Sequence, residues 1–391
     1  MSRILFVNGN LHGHINPTLP IVKELVQRGD EVWYFSTAEF KPKIEATGAV
    51  FLDYGEELEH FVHTFHPHGN HPFYTLMEYM LGFDCTVVPI VLNKAADMQF
   101  DLLVHDIMFG GGTILAKKLK LPAIASCSSF LLEKPPLPPH MLEPGYHPQL
   151  DLVQKDLEAA AIEWEINSLP LEDIFCKKEP HNLIYTSRLF HPQGDRFDDY
   201  CCFVGPSIAD RNETLDLPIN LSEDRKLIYI TLGTILNNNL NFYHQCIDAF
   251  RDTDYQVVLA IGNKIEVASL KPLPDNIIAR NYVPQLELLK HTRLMISHGG
   301  LNSVSESLYY GVPVIAIPLA NDQPAVAKRL QELGAGLSLK LEDITPDSLR
   351  LHAETIISDP DYYERCNQIS LSFRQAGGYE KAAEYIRTMI I

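Results

Sequence analysis

The chain has 391 residues, of which 46% are hydrophobic and 21% charged, so it has the composition of a globular protein and the length of two domains. The formal net charge of −18 argues against nucleic acids and anionic membranes as partners, because both require a basic surface. The seven cysteines are scattered, which favours reduced thiols and a cytoplasmic protein. We expect neither a signal peptide at Met1–Asn8 nor a membrane span, since no apolar run reaches about 18 residues.

Short apolar segments alternate with helical patterns through the first half of the chain. Arg3–Asn8 is the first predicted strand, and Asn16 and Pro17 are predicted to cap and begin the next helix. Buried apolar strands separated by helices predict an α/β fold with a doubly wound parallel sheet. Later strands are predicted at Glu31–Ser36, Leu102–His105 and Ala123–Ala125.

The alternation restarts near Lys226, which predicts a second α/β domain of similar size. Its strands are predicted at Leu227–Ile230, Tyr255–Ala260, Leu294–Ser297 and Val314–Ile317. Residues 206–224 are rich in proline and acidic residues and are predicted to form a linker. We therefore expect an N-terminal domain at 1–205 and a C-terminal domain at 225–391, whose final helix can pack back on the first domain.

Two segments interrupt the pattern and are predicted to be long functional loops. Glu57–Phe83 is rich in histidine and aromatic residues, and Leu132–Leu150 carries two proline pairs. We expect the first segment to line a ligand pocket. Its histidines lack the cysteines or tight helical pairs of a zinc site, which argues against a metal. These histidines are His60, His63, His66, His68 and His71.

The turn that follows the first predicted strand contains His14. Its glycines do not have G-x-G-x-x-G spacing, so an NAD-dependent oxidoreductase is disfavoured. Ligands of open α/β sheets bind at the carboxyl ends of the strands, where His14 can act as a general base; an exposed or helix-capping histidine is the alternative. Asp106 ends a later strand at the same edge, where it can orient His14 or serve as a turn or N-cap aspartate.

The segment Ser297–Glu306 carries the strongest signal in the second half. A strand ends there, two glycines let the backbone approach a ligand, and a helix begins whose N-terminus can bind an anion. Ser303-x-x-Glu306 also matches a capping box, so Glu306 can be either a ligand contact or a helix cap. The side chains that can donate to phosphate oxygens are His298, Asn302 and Ser303.

Further motifs occur in order along the chain, namely Gly13–Pro17, Tyr200–Pro206, Thr231–Thr234, Val283–Leu289, His298–Glu306, Gly311–Pro313 and Asp322-Gln323. Together they resemble the motifs of family 1 glycosyltransferases, which include plant natural-product transferases and bacterial macrolide and flavonoid transferases. The resemblance covers almost the whole chain and is nearest to the bacterial branch with its promiscuous bacillus-type UDP-glycosyltransferases.

This resemblance implies a GT-B fold, in which two Rossmann-like domains with parallel sheets face each other across an interdomain cleft. It also implies an inverting enzyme that moves a hexose, glucose being expected, from a UDP-sugar to a hydroxyl of a small apolar acceptor such as a phenolic, flavonoid or macrolide. The UDP-sugar is a co-substrate, and neither a cofactor nor a metal is implied.

By the same resemblance, His14 is the base and Asp106 its partner, Glu306 binds the ribose hydroxyls, and Gln285 with the backbone near Val283 faces the nucleoside. His298, Asn302 and Ser303 are implied at the diphosphate, with Thr234 nearby, and a hydroxyl of Ser128 or Ser129 from the first half is implied to reach it. The resemblance also places Gly299, Gly300 and Leu301 in the donor site. The residues implied at the sugar are Asp322 and Gln323. The plant signature begins with tryptophan where this chain has Tyr282, so uracil is not clearly preferred over thymine.

Two other functions stay open at this point. One is a sugar-nucleotide epimerase or cell-wall transferase of the same fold, against which the turn at Gly13-His14 argues. The other is a non-catalytic binding or activator protein of the same fold, against which the presence of both His14 and Asp106 argues. Release of UDP with and without a phenolic acceptor separates these functions.

Overall fold

A computed structural model describes residues 1–134, 137–166, 170–171, 174, 179–211, 213–218, 226–234 and 237–390. The chain divides into two compact units. The first unit comprises Met1–Tyr185, Phe197–Ser207 and Tyr379–Ile391, and the second comprises Thr186–Arg196 and Ile208–Gly378. Residues 212 and 219–224 of the predicted linker, and residues 135–136 of the predicted loop at 132–150, lie outside the described residues.

The first unit contains a parallel sheet whose described strands have the order β3-β2-β1-β4-β5-β6-β7. β4 and β5 are buried along their whole length, as is usual where helices cover both faces of a parallel sheet. The strand order reverses between β1 and β4, which creates a crevice at their carboxyl ends. The strands are β1 (Arg3–Val7), β2 (Glu31–Ser36), β3 (Val50–Asp53), β4 (Leu102–Asp106), β5 (Ala123–Cys127), β6 (His181–Ile184) and β7 (Cys201–Phe203).

The second unit contains another parallel sheet, with the described strands in the order β10-β9-β8-β11-β12-β13. Its strand order reverses between β8 and β11, so it has the same kind of crevice as the first sheet. The strands are β8 (Leu227–Thr231), β9 (Gln256–Ala260), β10 (Ile277–Arg280), β11 (Thr292–Ser297), β12 (Val314–Ala316) and β13 (Gly336–Ser338). The predicted α/β architecture with two parallel sheets is confirmed.

Helices connect the strands of both sheets. Those of the described residues are α1 (His12–Ile15), α2 (Leu19–Gln27), α3 (Lys41–Glu45), α4 (Glu56–Thr64), α5 (Pro72–Ala95), α6 (Gly112–Leu119), α7 (Pro148–Glu163), α8 (Leu240–Phe250), α9 (Gln285–Leu289), α10 (Leu301–Tyr309), α11 (Gln323–Glu332), α12 (Pro346–Ser358), α13 (Pro360–Gln375) and α14 (Gly378–Thr388). Short 3-10 helices lie at Ala38–Phe40, Pro139–Leu142, Gly194–Arg196, Val267–Leu270 and Leu341–Asp343.

The core of the first unit follows the two-residue period of its strands. Leu5 and Val7 of β1 point to the face that packs against α5 and α7. Ile4 and Phe6 point to the other face, which α2 and α14 cover. Ala383 and Ile386 of α14 are fully buried in that second layer, so the last helix of the chain completes the core of the first unit.

The predicted start of the first long helix is wrong. Residues 12–15 form a separate helical turn, and Asn16 continues it with φ −53° and ψ −40°, so Asn16 lacks the extended backbone of a typical N-cap. The longer helix α2 begins two residues after Pro17, with Thr18 as its N-cap residue and Pro20 in its first turn. His14 therefore lies in a short helix of its own rather than in an open turn.

The segment Glu57–Phe83, predicted as a loop, is largely helical. α4 covers its beginning, and α5 begins at Pro72. Tyr74, Met77 and Leu81 recur at helical spacing and are buried, which explains why this stretch packs as a helix despite its many polar residues. The histidine ring of His71 accepts a hydrogen bond from the amide of Tyr74 at 3.5 Å and caps α5.

By length and composition, α5 is apolar enough to cross a membrane, and half of its most apolar window is buried inside the structure. Glu78 and Asp84 interrupt its apolar run. The sequence analysis considered only uninterrupted apolar runs and so did not predict an apolar helix of this length. The core helix of a soluble protein passes the same test, which makes α5 weak evidence for a membrane span.

Candidate functional site

The crevice at β1 and β4 brings His14 and Asp106 together. His14 lies in α1, which follows β1, and Asp106 is the last residue of β4. The Nδ1 atom of His14 lies 2.5 Å from Oδ2 of Asp106, although the two residues are 92 positions apart. The side chains are 13% and 1% exposed, so the pair is largely withdrawn from water.

Asp106 uses its two carboxylate oxygens for different purposes. Oδ1 accepts hydrogen bonds from the amides of Met108 at 2.7 Å and Phe109 at 3.0 Å, while Oδ2 contacts His14. Burial raises the pKa of Asp106, but the contact with His14 and the two amides outweigh burial and hold this pKa below its usual value. Both readings of Asp106, as a turn residue and as a partner of His14, are therefore compatible with its geometry.

Neighbouring side chains hold α1 in place. Asn8, fully buried, donates from Nδ2 to the hydroxyl of Tyr34 at 2.7 Å and to the carbonyl of His14 at 3.4 Å. The ring of Phe109 meets the imidazole edge-on, with 5.4 Å between the ring centroids. A Cβ atom at Gly9 would lie 2.8 Å from that Phe109 ring, so only glycine fits there.

This geometry has the elements of a base and its orienting carboxylate. A carboxylate at Nδ1 favours the tautomer with the proton on Nδ1 and stabilises the imidazolium that forms when Nε2 accepts a proton. Ser128 and Ser129 follow β5, the strand next to β4, and so lie at the same sheet edge. Ser128 is 7% exposed, and its Oγ has no hydrogen-bond partner among the described residues.

In the second unit, the turns that follow β8 and β11 meet around His298. Gly233, with φ +76°, approaches so closely that a Cβ atom would lie 2.6 Å from the His298 ring. A Cβ atom at Gly300 would lie 2.5 Å from Nε2 of the same ring. Gly299 has φ +79°, a conformation that favours glycine. Thr234, predicted at the diphosphate, is exposed in the first of these turns.

His298 is held as a neutral ring. Its Nδ1 atom is buried without a hydrogen-bond partner among the described residues. Burial lowers the pKa of His298 to about 4, so the imidazole carries no charge at neutral pH. A neutral imidazole offers one N–H donor and one acceptor nitrogen, and the donor can serve an anionic ligand without a charged side chain.

Helix α10 begins at Leu301, with Gly300 as its N-cap residue. Gly300 has no side chain to cap the first-turn amides of Leu301, Asn302 and Ser303, which makes this end of the helix suited to an anion. The predicted capping box at Ser303 and Glu306 is wrong, because both residues lie inside the helix and neither is its N-cap.

Glu306 instead belongs to a hydrogen-bonded cluster that the sequence did not reveal. Its Oε1 accepts from Nη2 of Arg211 at 2.6 Å, and its Oε2 accepts from Nε2 of Gln285 at 2.6 Å. Oε1 of Gln285 in turn accepts from the hydroxyl of Tyr229 at 3.0 Å. Nearby, the hydroxyl of Tyr282 donates to Oε1 of Glu213. Thus Gln285 and Glu306, both predicted at the nucleoside, are brought into direct contact.

The remaining predicted residues of the second unit occupy different surroundings. Val283 is 3% exposed and contributes to the core rather than offering its side chain to a ligand. Asp322 is the N-cap residue of α11, and Gln323 is the first residue of that helix. Oε1 of Gln323 accepts from the amides of Leu319 at 2.7 Å and Ala320 at 3.0 Å, so this oxygen holds the preceding loop.

The histidine-rich segment makes local contacts. Nδ1 of His66 lies 2.6 Å from the carbonyl of Thr64, and Nδ1 of His68 lies 3.2 Å from Oε1 of Glu78. Within the part of the chain that the structure describes, no group of three or more histidine, cysteine, aspartate or glutamate side chains is arranged to hold a metal ion.

Comparisons with known proteins connect this geometry to a family. Residues 244–374 match the family described as erythromycin biosynthesis protein CIII-like, C-terminal domain. The chain is 34% identical over 394 residues to the UDP-glucosyltransferase YdhE of Bacillus subtilis, whose activity is uncharacterised, covering 100% of this chain and 99% of YdhE. It is also 34% identical over 406 residues to the NDP-glycosyltransferase YjiC of Bacillus licheniformis, covering 100% and 98% of the two chains.

A solved structure agrees with this relationship. The calicheamicin glycosyltransferase CalG4 superposes with a TM-score of 0.85 at 26% identity, covering 100% of this chain and 98% of that one. The matching elements include both parallel sheets, since the alignment spans the whole chain. The chain therefore belongs to the family 1 glycosyltransferases of GT-B fold and is a nucleotide-sugar-dependent glycosyltransferase.

Proposed function

We propose that the enzyme transfers a hexose, specifically glucose, from a UDP-sugar to a hydroxyl of a small apolar acceptor, with inversion at the anomeric carbon and without a metal. The observation that carries the proposal is the 2.5 Å contact between His14 Nδ1 and Asp106 Oδ2 at the carboxyl edge of the first sheet. This is the arrangement that a general base requires, and it stands at the place where open α/β sheets bind their ligands.

In this proposal His14 activates the acceptor. Its Nε2 takes the hydroxyl proton as the acceptor oxygen attacks the anomeric carbon, and Asp106 stabilises the imidazolium that results. The oxygen forms its bond on the face opposite the departing diphosphate, so an α-linked donor gives a β-linked product. The proton on His14 is later released to solvent, and UDP leaves with the electron pair of the broken bond.

The second unit supplies the proposed donor site. Negative charge grows on the diphosphate as its bond to the sugar breaks, and preorganised donors stabilise that charge. The N-terminus of α10 and the neutral ring of His298 are such donors, with Thr234 beside them. Because these groups can perform the task usually given to a divalent cation, we propose catalysis without one.

The other predicted contacts complete this site. Glu306 and Gln285 are proposed to bind the ribose and the base, and Tyr282, which is 65% exposed, to stack on the base. Asp322 and the amide group of Gln323 are proposed to bind sugar hydroxyls, and Ser128 or Ser129 to reach the diphosphate. Residues 1–205 would form the acceptor domain and 225–391 the donor domain, whose final helix packs in the first unit. The enzyme would act in the cytoplasm.

The relatives support the donor and acceptor classes. YdhE is named as a UDP-glucosyltransferase, which favours UDP-glucose, whereas YjiC is named more broadly as an NDP-glycosyltransferase. The matching family is named for erythromycin biosynthesis, and CalG4 for calicheamicin, so we propose a natural-product acceptor, such as a phenolic, a flavonoid or a macrolide.

The test combines UDP-glucose or dTDP-glucose with one acceptor of each class and measures the mass increase of the acceptor and the release of nucleotide. We expect acceptor-dependent UDP release, a product heavier by one hexosyl group, and a β anomeric configuration by NMR coupling. Reactions without acceptor serve as the control. Conversion of the UDP-sugar to an epimer without acceptor would support the epimerase instead, and tight UDP binding without any turnover would support a binding protein.

A further inference from the structure

The proposed ribose contact, Glu306, is already held by a residue from outside the recognised motifs. Arg211 lies in the segment at 208–211 of the second unit, 95 positions before Glu306 in the chain. Its Nη2 donates to Oε1 of Glu306 at 2.6 Å, with the two side chains 33% and 11% exposed. A charge-assisted hydrogen bond of this length in a partly buried place restricts the rotation of the carboxylate.

The Glu306 carboxylate can accept more hydrogen bonds than it now receives from Arg211 and Gln285. Each carboxylate oxygen has two lone pairs, and the described contacts give one donor to each oxygen. One acceptor position per oxygen has no donor among the described residues, and the two neighbouring hydroxyls of a ribose can use these positions. Arg211 and Gln285 thus restrain the carboxylate by donating one hydrogen bond to each of its oxygens.

A second contact, made by Glu213, involves the proposed base-stacking residue Tyr282. Glu213, two positions after Arg211, accepts a hydrogen bond from the hydroxyl of Tyr282. The Tyr282 side chain is largely exposed, and this bond restrains the orientation of its ring. Arg211 and Glu213 thus touch the two residues proposed for the two parts of a nucleoside.

Burial opposes the charged form of Arg211, but Glu306 and then Glu213 outweigh burial and raise the pKa of Arg211 above its usual value. Removing Glu306 would therefore leave a partly buried cation beside the site, whereas removing Arg211 would leave Glu306 with a single restraint through Gln285. Both substitutions disturb the same Arg211–Glu306 pair, so their effects on UDP binding should not be additive.

We infer that Arg211 is a positioning residue of the donor site: it holds Glu306 so that the carboxylate receives the ribose hydroxyls, while Glu213 holds Tyr282 for the base. The inference rests on the proposed function, because it assumes that Glu306 binds ribose. It adds that Arg211 and Glu213 belong to the donor site and contribute to the choice between ribose and deoxyribose nucleotides.

The experiment measures binding of UDP and 2′-deoxy-UDP by calorimetry, which needs neither an acceptor nor catalysis. The variants are Arg211→Ala, Arg211→Lys, Glu306→Ala and the double variant Arg211→Ala/Glu306→Ala. Arg251→Ala is the matched control, since Arg251 lies in the same unit and makes an exposed ion pair with Asp248 at 3.5 Å. Thermal unfolding of every variant shows whether it folds.

We expect Arg211→Ala to weaken UDP binding by about tenfold, because the Glu306 carboxylate loses one of its two restraints and must be ordered when UDP binds. 2′-deoxy-UDP should lose less, so the preference for UDP should shrink. Arg211→Lys should recover part of the lost preference for UDP. The double variant should bind UDP no more weakly than Glu306→Ala, and Arg251→Ala should bind UDP as the wild type does.

Two results would overturn the inference, and they are distinguishable. If Arg211→Ala binds UDP as tightly as the wild type, Arg211 does not contribute to UDP binding. If it binds UDP more tightly, Arg211 competes with the ribose for Glu306. If instead Glu306→Ala retains normal UDP affinity and the wild type does not distinguish UDP from 2′-deoxy-UDP, the ribose contact of the proposed function is itself wrong. If Arg211→Ala does not fold, Arg211→Lys takes its place in the test. A smaller preference for UDP over 2′-deoxy-UDP than in the wild type supports the inference, and an unchanged preference contradicts it.

Discussion

Each sheet has a histidine beside the crevice where its strand order reverses, but the two histidines follow different strands and have different surroundings. In the first unit His14 follows β1, and the adjacent strand β4 ends in Asp106. In the second unit the strand that corresponds to β4 is β11, which ends in Ser297 and is followed by His298. The turn after β8 then meets His298 with Gly233, which has no side chain. One imidazole therefore faces a carboxylate, and the other faces the backbone of glycines.

This difference changes the chemistry available to each ring. The carboxylate of Asp106 favours the protonated form of His14, which is what a base needs after it has taken a proton. Burial without a carboxylate disfavours the protonated form of His298, which stays a neutral donor. In the proposed function the position beyond a strand end places both rings beside a ligand, and the residue opposite each ring determines whether that ring can accept a proton.

The strongest test of the comparison is His14→Ala. Loss of a general base lowers the rate by about 10²–10⁴-fold, so we expect transfer to an aliphatic alcohol to fall within that range while UDP affinity is unchanged. An acidic phenol or a thiol, already ionised near neutral pH, should lose less. His12→Ala is the matched control, since His12 lies in the same helix and contacts exposed Glu39 at 3.1 Å.

Rates for three acceptors of graded pKa and UDP affinity by calorimetry are the measurements for His14→Ala. Equal loss with all three acceptors, together with loss of UDP binding, would mean that His14 has a structural or donor-site role. The contrast between His14 and His298 would then disappear.

A similar or smaller loss of rate is expected for Asp106→Asn. Asparagine keeps an oxygen for the amides of Met108 and Phe109 but removes the charge that faces His14. The pKa of Asp106 is lowered in the folded protein, so its stabilising effect is present above the usual pKa of about 3.9 and is lost as pH falls through the folded value. Asp106 of the wild type therefore stays ionised between pH 6 and 8. The ratio of wild-type to variant rates should not change over this range through titration of Asp106.

Steady-state rates from about pH 6 to 8, with circular dichroism to confirm folding, check this prediction. A variant with wild-type rates for an aliphatic alcohol would show that the carboxylate does not assist His14.

His298→Gln is expected to alter the pH dependence of stability. The pKa of His298 is about 4 in the folded protein and 6.5 in an unperturbed histidine, so the unfolded chain binds more protons between these values. Stability from this residue is complete above pH 6.5 and is lost as pH falls toward 4. The variant should reduce the slope of unfolding free energy against pH by up to about 1.4 kcal/mol per pH unit.

Urea unfolding at intervals from pH 7 to about pH 5 measures that slope. The exposed His291, also in the second unit, gives the control variant His291→Gln, which should leave the slope unchanged. An unchanged slope in His298→Gln would contradict the neutral state of this ring.

The smallest expected effect is that of metal removal. If the neutral ring of His298 and the N-terminus of α10 stabilise the departing diphosphate, excess EDTA should leave turnover unchanged. Initial rates with EDTA, and then with added magnesium or manganese, are the measurement. Activity that EDTA abolishes and either cation restores would mean that these donors do not suffice.

Much of the fold could be predicted from local patterns. The bounds of β2 agree with the prediction, and those of β1, β4, β8 and β9 differ from it by one residue. The histidine-rich segment was misread because its polar residues concealed the helical spacing of Tyr74, Met77 and Leu81, whose burial only the packed unit reveals. The start of α2 was misplaced because both Pro17 and Pro20 suit a first turn, and the preceding turn at 12–15 excluded the former.

The sequence by itself determined that His14 and Asp106 stand at strand ends of one sheet, because strand periodicity and order are local properties that parallel topology converts into a shared edge. Only the tertiary structure decided that Oδ2 of Asp106 contacts Nδ1 of His14, and that Glu306 pairs with Arg211 rather than capping a helix. Those contacts join residues 92 and 95 positions apart. No local dihedral preference or side-chain period encodes them, since they depend on how packed elements bring distant side chains together.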